Sequence, residues 1–339
     1  MNKKANIYDV AERAGVSHQT VSRVLNNHTS LKPATREKVE KAISELQYRP
    51  NQAARQLVTS QSRIIGILIV SAELYGPWAI LNAMEQEARK EGYSVISISV
   101  LLDSPDSWQE GIDQLRNLNI DGAITIALPN ALVKEVEKSF IGATIVIVDA
   151  EPGKKFDAVN LDNELGGALA TRHLIELGHT EILHITGPVD GYEGAMRRKG
   201  YESAMADAKL KADVIQGDWS PSTGYEIGNR ILSRKKYPSA IFTANDQLAL
   251  GVMKALREAK IRVPEDVSIV GFDNVPEAAY FSPSLTTISQ KFDQLGNLAI
   301  NLMLSQLKEP GKRQTLMISP ELISRESTQK KSVKKESRK

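Results

Sequence analysis

Two incompatible periodicities share this chain, and the switch between them near residue 63 constrains its fold more than any other feature. Beyond Arg63, apolar runs of strand length recur at Ile64 to Val70, Ser94 to Leu101, Ala123 to Ile126 and Thr144 to Val148. Amphipathic helical stretches near 77 to 91, 106 to 118 and 130 to 140 separate them. Strands that alternate with helices imply parallel sheets with helices on both faces, so this part of the chain is an α/β body. Before Arg63, apolar residues fall at helical spacing, which predicts a small all-α module ahead of the body.

The rhythm resumes with strands near 158 to 161, 181 to 186, 213 to 217, 240 to 243 and 267 to 272. These are too many for one tidy sheet, and the loop Ala150 to Asp157 divides the series about evenly, so the body is expected to have two lobes. A final helix near 291 to 307 and a strand near 314 to 318 are expected to return to the first lobe. The first lobe is then 62–160 plus 291–320, and the second 161–290 plus 321–328. Ligands of open α/β sheets sit at the carboxyl ends of the strands, which makes the cleft between the lobes the expected site.

In the N-terminal module, Ile7, Val10, Ala11 and Ala14 are spaced to share one helix face, with Asn6 as N-cap, Asp9 in the first turn and Gly15 as the stop. Ser17 caps a second helix with Val21, Val24 and Leu25 on its apolar side; Asn26 to Ser30 reads as a loop. Pro33 suits the first turn of a third helix burying Val39, Ala42, Ile43 and Leu46. Two short helices joined through a Gly turn, with a third across them, form the helix-turn-helix plan. The module spans 1–49, and residues 50–61 form a hinge whose segment Asn51 to Leu57 is too short to be helical unless something holds it.

Charge follows the same division. The net charge is only +2, but residues 1 to 58 hold ten Lys and Arg against five Asp and Glu, and the last eleven residues hold six basic groups against Glu336 alone. Both ends are basic and the body between them is acidic, which points to a polyanion partner for the N-terminal module. Residues 329–339 read as a disordered basic tail without leucine heptads, so the expected assembly is a homodimer. No run approaches the roughly 18 apolar residues of a membrane span. The N-terminus lacks a signal-peptide core, and there are zero cysteines, so a cytoplasmic location is expected. Phosphate-loop, dinucleotide-fingerprint, zinc-protease and nucleophile-elbow motifs are absent, and His18, His28, His173, His179 and His184 show no metal spacing. Neither catalysis, a cofactor nor a metal is expected. A sugar-binding protein of periplasmic type would share the body but have no headpiece.

The stretch Ile7 to Asn26 (IYDVAERAGVSHQTVSRVLN) resembles the headpiece of the lactose-repressor and galactose-repressor family, and Tyr48 to Leu57 (YRPNQAARQL) resembles its hinge. The likeness continues in Glu176 to His179, Gly187-Pro188, Thr243 to Gly251, Val270 to Asp273 and Leu285 to Ile288, reaching about residue 325. It implies a type I periplasmic-binding-protein-like body behind the helix-turn-helix headpiece, with two headpieces per dimer on a palindromic operator in double-stranded DNA.

In that arrangement the second helix lies in the major groove with Ser17, His18, Gln19, Thr20 and Ser22 near its exposed start, where side chains reach base edges. Gln19 can pair with adenine, His18 with a guanine acceptor, and Arg23 with guanine or a phosphate. By resemblance positions 18 and 19 set operator choice, and His18 departs from the family's tyrosine. Tyr8, Asn26, Thr35 and Arg36 resemble backbone-contacting positions. Asn51, Ala54 and Leu57 fall in the hinge, where Leu57 resembles the apolar wedge driven into a minor-groove step.

The resemblance also implies an effector pocket for a small sugar. Asp149, Asn245 and Asp273 stand at strand ends, Arg197 at a helix beginning, and Trp219 and Phe292 offer flat surfaces. Leu74, Gly76, Pro77 and Ile80 match an apolar rim nearest the galactoside-responsive branch of the family, and Leu161 joins the expected effector-binding set. Gly76 replaces an alanine of that pattern, Leu161 a phenylalanine and Ala127 an asparagine. The reading is a repressor of a carbohydrate-utilisation operon released by a sugar, with a galactoside as best guess; a non-sugar corepressor is the alternative.

Overall fold

The computed structural model describes residues 5–25, 31–48, 61–71, 73–101, 104–140, 143–152, 155–188, 191–234 and 236–331. The chain divides into two compact units, Met1–Ser62 and Arg63–Lys339.

The first unit contains α1 (Ile7–Ala14), α2 (His18–Leu25) and α3 (Pro33–Glu45). The Asn6 side chain accepts from the backbone N–H groups of Tyr8 and Asp9, and Asp9 in return accepts from the Asn6 N–H, closing a capping box. Gly15 ends α1 at φ 66°, a conformation glycine adopts without a Cβ penalty. Ser17 Oγ accepts from the Thr20 N–H at 3.2 Å and opens α2. Val10, Ala11, Val21, Val24, Val39 and Ala42 interlock as the core, while Ile43 and Leu46 pack at its margin. The expected loop at 26–30 and the hinge helix at 51–57 lie outside the described residues.

Among the described residues, the second unit holds two sheets of six strands. The first comprises β1 (Ile64–Val70), β2 (Ser94–Val100), β3 (Gly122–Ile126), β4 (Ile145–Val148), β5 (Asp157–Leu161) and β11 (Thr315–Ile318), in the order β11-β5-β4-β3-β1-β2. All of its pairings are parallel. Helices α4 (Tyr75–Lys90), α5 (Pro105–Asn117), α6 (Asn130–Ser139) and α11 (Phe292–Lys308) belong to this lobe. Apolar clusters cover both faces of the sheet, so its central strands are continuous aliphatic runs such as IIGILIV in β1.

The second sheet comprises β6 (Ile182–Thr186), β7 (Asp213–Gln216), β8 (Ala240–Thr243), β9 (Ser268–Asp273), β10 (Thr286–Ser289) and β12 (Glu321–Ile323), ordered β12-β10-β9-β8-β6-β7. It is parallel except for β12, which runs antiparallel to β10. Helices α7 (Asn163–Glu176), α8 (Tyr192–Asp207), α9 (Pro221–Leu232) and α10 (Asp246–Glu258) accompany it.

Three details depart from the sequence reading. The loop Ala150 to Asp157 does not divide the series: β5 beyond it pairs with β4 in the first sheet, as the bounds 62–160 for the first lobe require. Strands β10 and β12 were not expected; each is short, and only their mutual pairing and the edge of β9 define them. Residues 329 to 331, assigned to the basic tail, are tied down: the Lys331 N–H donates to the Leu177 carbonyl, and the Gln329 carbonyl lies 3.1 Å from His179 Nε2. The remainder of the tail lies outside the described residues.

Candidate functional site

The headpiece presents one polar face. Ser17, His18 and Gln19 follow one another at the start of α2, all exposed, and Arg23 is exposed a turn later. The side chains of Thr20 and Ser17 are 3.0 Å apart, and Ser22 is half-buried. Tyr8 of α1 is 64% exposed with its ring centroid 5.2 Å from that of His18, so the two helices put aromatic and polar groups side by side. Thr35 and Arg36 sit half-buried in the first turn of α3. Asn26, Asn51, Ala54 and Leu57 lie outside the described residues.

In the body a cavity of about 790 Å³ opens between the lobes at the carboxyl ends of the strands. Ser71, Ala127, Asp149 and Asp273, at or just beyond the ends of β1, β3, β4 and β9, all line it and all hold positive φ, between 50° and 101°. Such backbone costs about 1–3 kcal/mol per non-glycine residue and persists where the surroundings enforce it.

A polar chain runs across the cavity. Asn163 Nδ2 donates to Asp149 Oδ1 at 3.0 Å, and Arg197 Nε donates to Asn163 Oδ1 at 2.9 Å. Arg197 Nη1 donates to the Ala244 carbonyl and lies 3.4 Å from Asp273 Oδ1, which also accepts from Gln290 Nε2 at 2.6 Å. The guanidinium sits 4.0 Å from the Phe272 ring centroid and 5.2 Å from that of Trp219. Buried and engaged on every side, it is a fixed fork rather than a mobile cation.

Burial dominates the electrostatics. It pushes Asp149 up to about 8, a shift that Glu193's charge reinforces and Arg197 opposes. Asp273 rises to about 6, with Arg197 and Gln290 holding it back. Beneath the wall, Asp246 accepts from Thr287 Oγ1 at 2.6 Å and the Val275 N–H at 2.8 Å; burial, aided by Asp273, raises it to about 8.

Trp219 supplies the flat surface. It lies against Gly187, where an added Cβ would come within 2.2 Å of the indole, so only glycine lets the ring settle there. Asn245 holds the Trp219 loop from behind: its Nδ2 donates to the Trp219 carbonyl at 2.9 Å while its Oδ1 caps α10 at the Leu248 N–H. Leu74, Gly76 and Pro77 line the first lobe at the start of α4, and Phe292 lies 5.8 Å from Tyr75 in an edge-to-face pair. Ala127 lines the wall with a methyl group.

Of the residues grouped with the pocket by sequence, Ile80 and Leu161 stand behind it. Both are 1% exposed in the first lobe's core, one on the inner face of α4 and the other on a strand paired on both sides. Arg197 lies in the second turn of α8 rather than at its beginning. Sequence reasoning missed Tyr75, Tyr192, Glu193, Met196 and Gln290, which line the cavity, and Asp246 beneath it. Asp246 had a usable signal, adjacency to Asn245 in TANDQ; Glu193 had a weaker one, in the helix after Gly187-Pro188.

Comparison with known proteins agrees with this architecture. Residues 6–51 match the model of bacterial regulatory proteins of the lacI family, and residues 171–328 match a periplasmic binding protein-like domain. The HTH-type transcriptional repressor PurR of Haemophilus influenzae is 36% identical over 331 residues, covering 95% of this chain and 98% of that protein. The lac repressor dimer bound to operator and the anti-inducer ONPF superposes with a TM-score of 0.86 at 32% identity, over 96% of this chain and 100% of that one. The transcriptional regulator CelR in complex with cellobiose gives 0.73 at 28% identity, over 95% and 99%. With helix-turn-helix headpiece, two-lobed body and full-length relatives in agreement, the chain belongs to the lacI family of bacterial regulatory proteins and is a DNA-binding transcriptional repressor.

Proposed function

We propose that this repressor holds a palindromic operator as a homodimer and is released when a small polyhydroxylated molecule, best a galactoside or related hexoside, enters the cleft. The observation that carries the reading is the pairing of Trp219's flat face with acceptors from Asp149, Asp273 and Glu193 around one cavity. A pyranose offers hydroxyl donors on its edge and a C–H face for the indole. Among the described residues, carboxyl groups outnumber the single guanidinium, which disfavours a phosphorylated or carboxylate ligand. The cellobiose held by the CelR neighbour is a saccharide of the same chemistry.

Release follows from linkage: a ligand that prefers a lobe arrangement unfavourable to the hinge weakens DNA binding by the factor by which DNA weakens ligand binding. The headpiece reads the operator through His18 and Gln19, with Tyr8, Thr35 and Arg36 on the phosphates and Leu57 wedging the hinge into the minor groove. Two exposed apolar side chains of the second lobe, Leu250 at 45% and Tyr280 at 88%, suit the dimer contact.

Calorimetry with a panel of sugars, followed by operator mobility shifts with each binder, tests the reading. Binding of hexosides with loss of operator affinity supports it, and binding of pentoses or purines alone overturns it. A non-sugar corepressor is the second reading, favoured by the aromatic lining of Tyr75, Trp108 and Tyr192; it requires a ligand that tightens operator binding. At fixed salt, Leu57→Ala weakens operator binding far more than random-DNA binding; equal losses on both would remove Leu57 from the wedge role.

A further inference from the structure

Among the described residues, the cavity gathers more carboxyl groups than its one guanidinium answers, and burial makes each of them costly to ionise without a cation beside it. Arg197 is committed to Asn163, the Ala244 carbonyl and Asp273, so the neighbour it compensates at ion-pair distance is Asp273. Asp149, reaching in from the end of β4 in the first lobe, accepts a hydrogen bond from the Asn163 amide. Glu193, in the first turn of α8 in the second lobe, faces the same space, and its charge opposes ionisation of Asp149. Glu193 is itself held above the ordinary carboxylate range by burial, which outweighs its own backbone N–H and the Arg197 charge and is reinforced by Asp273. Tyr192 and Glu151 complete the polar surroundings without adding a positive charge.

A second observation is independent of these acids. Gln290 lines the same cavity at 6% exposure, and its Oε1 has no hydrogen-bond partner, because the amide is turned to give its N–H to Asp273. An orphaned acceptor in a buried wall keeps its desolvation penalty until a donor reaches it. Two carboxylates from opposite lobes and this carbonyl oxygen therefore ask for donors, and the carboxylates ask for positive charge. A metal ion is not what they are arranged for: among the described residues no group of three or more His, Asp or Glu is placed to hold one.

We infer that the effector is a saccharide bearing a primary ammonium group, which seats between Asp149 and Glu193 while Trp219 packs against the sugar ring. This inference rests on the sugar-cleft reading above and narrows it. Because the two carboxyl groups come from different lobes, an ammonium that draws them into their ionised forms also draws the lobes together, whereas beside the neutral parent sugar the pair avoids repulsion only by keeping a proton.

The test is titration calorimetry on the full-length protein with D-galactose, D-glucose and D-mannose, each beside its amino-deoxy and N-acetylated counterparts, at neutral pH. One charge-assisted contact predicts that the best amino sugar binds about tenfold or more tighter than its parent, and that N-acetylation, which removes the charge, abolishes the advantage. In Glu193→Gln the ratio of amino to parent affinity falls to about twofold or less, a ratio that a merely unstable variant would not change selectively. A parent sugar that binds as tightly as its amine, or an amine preference that survives in Glu193→Gln, overturns the inference and leaves the sugar reading standing. Absence of binding by every member of the panel overturns both.

Discussion

The headpiece displays its polar residues within one helix, Ser17 to Arg23, on a core of valine and alanine. The effector pocket instead gathers residues as distant as Leu74 and Phe292 from both lobes and buries titratable groups to hold them. The difference teaches where each unit is vulnerable. A surface helix loses recognition one side chain at a time, whereas a buried network loses stability and recognition together.

Four substitutions or titrations press on that contrast. The largest effect belongs to Arg197→Ala, which removes the buried guanidinium from Asp273 and Asn163; chemical denaturation should show the body destabilised by about 3–5 kcal/mol. A loss below about 1 kcal/mol would mean the pocket network is no more integrated than a surface face. Next, Gln19→Ala should leave the denaturation midpoint in place while costing about 1–3 kcal/mol of operator over random-DNA affinity. Loss of stability there would break the comparison from the other side.

The third expectation concerns pH. Burial holds His184 down to about 3 against 6.5, its Nδ1 bonded to the Phe242 carbonyl, so its contribution is whole above pH 6.5 and lost as pH falls from there. Asp149 and Asp246 have the opposite sign: raised from 3.8 to about 8, they contribute stability in acid that disappears as pH rises through 8. Between pH 6.5 and 8 the acids act without His184, and stability should decline by up to about 1.4 kcal/mol per pH unit for each proton released. Asp246→Asn should flatten that slope, and an unchanged slope would show that the acid is ionised in the fold. The smallest effect is Asn6→Ala, which removes the α1 cap and should lower headpiece stability by about 1 kcal/mol in thermal unfolding, with effector affinity untouched.

How legible each part was in the sequence follows the same contrast. The headpiece could be read because its signals are local: Asn6, Gly15, Ser17 and Pro33 act on their own helix ends. In the body, the strands were legible as aliphatic runs, but the sheet each one joins was not, since the pairing of β5 with β4 is decided by residues far along the chain. Asp149, Arg197, Trp219 and Asp273 were found through resemblance, and the structure brings them around one cavity. Ile80 was misjudged because one helical turn separates a lining position such as Pro77 from a core one. Tyr75, Glu193 and Gln290 were overlooked because nothing local distinguishes a polar residue facing a cavity from one facing solvent.

The chain passes between the lobes three times, after β5, between β10 and α11, and between β11 and β12. That threading sets an order of completion during synthesis. The first lobe begins to emerge earliest, yet its core needs Leu295, Ala299 and Met303 of α11, and its edge needs β11, both made after all but one strand of the second sheet. The second sheet then waits for β12 at Glu321 to Ile323. Neither sheet can close until synthesis has passed β11 and β12, so the headpiece is free to fold first and a pocket able to take a ligand forms well after it.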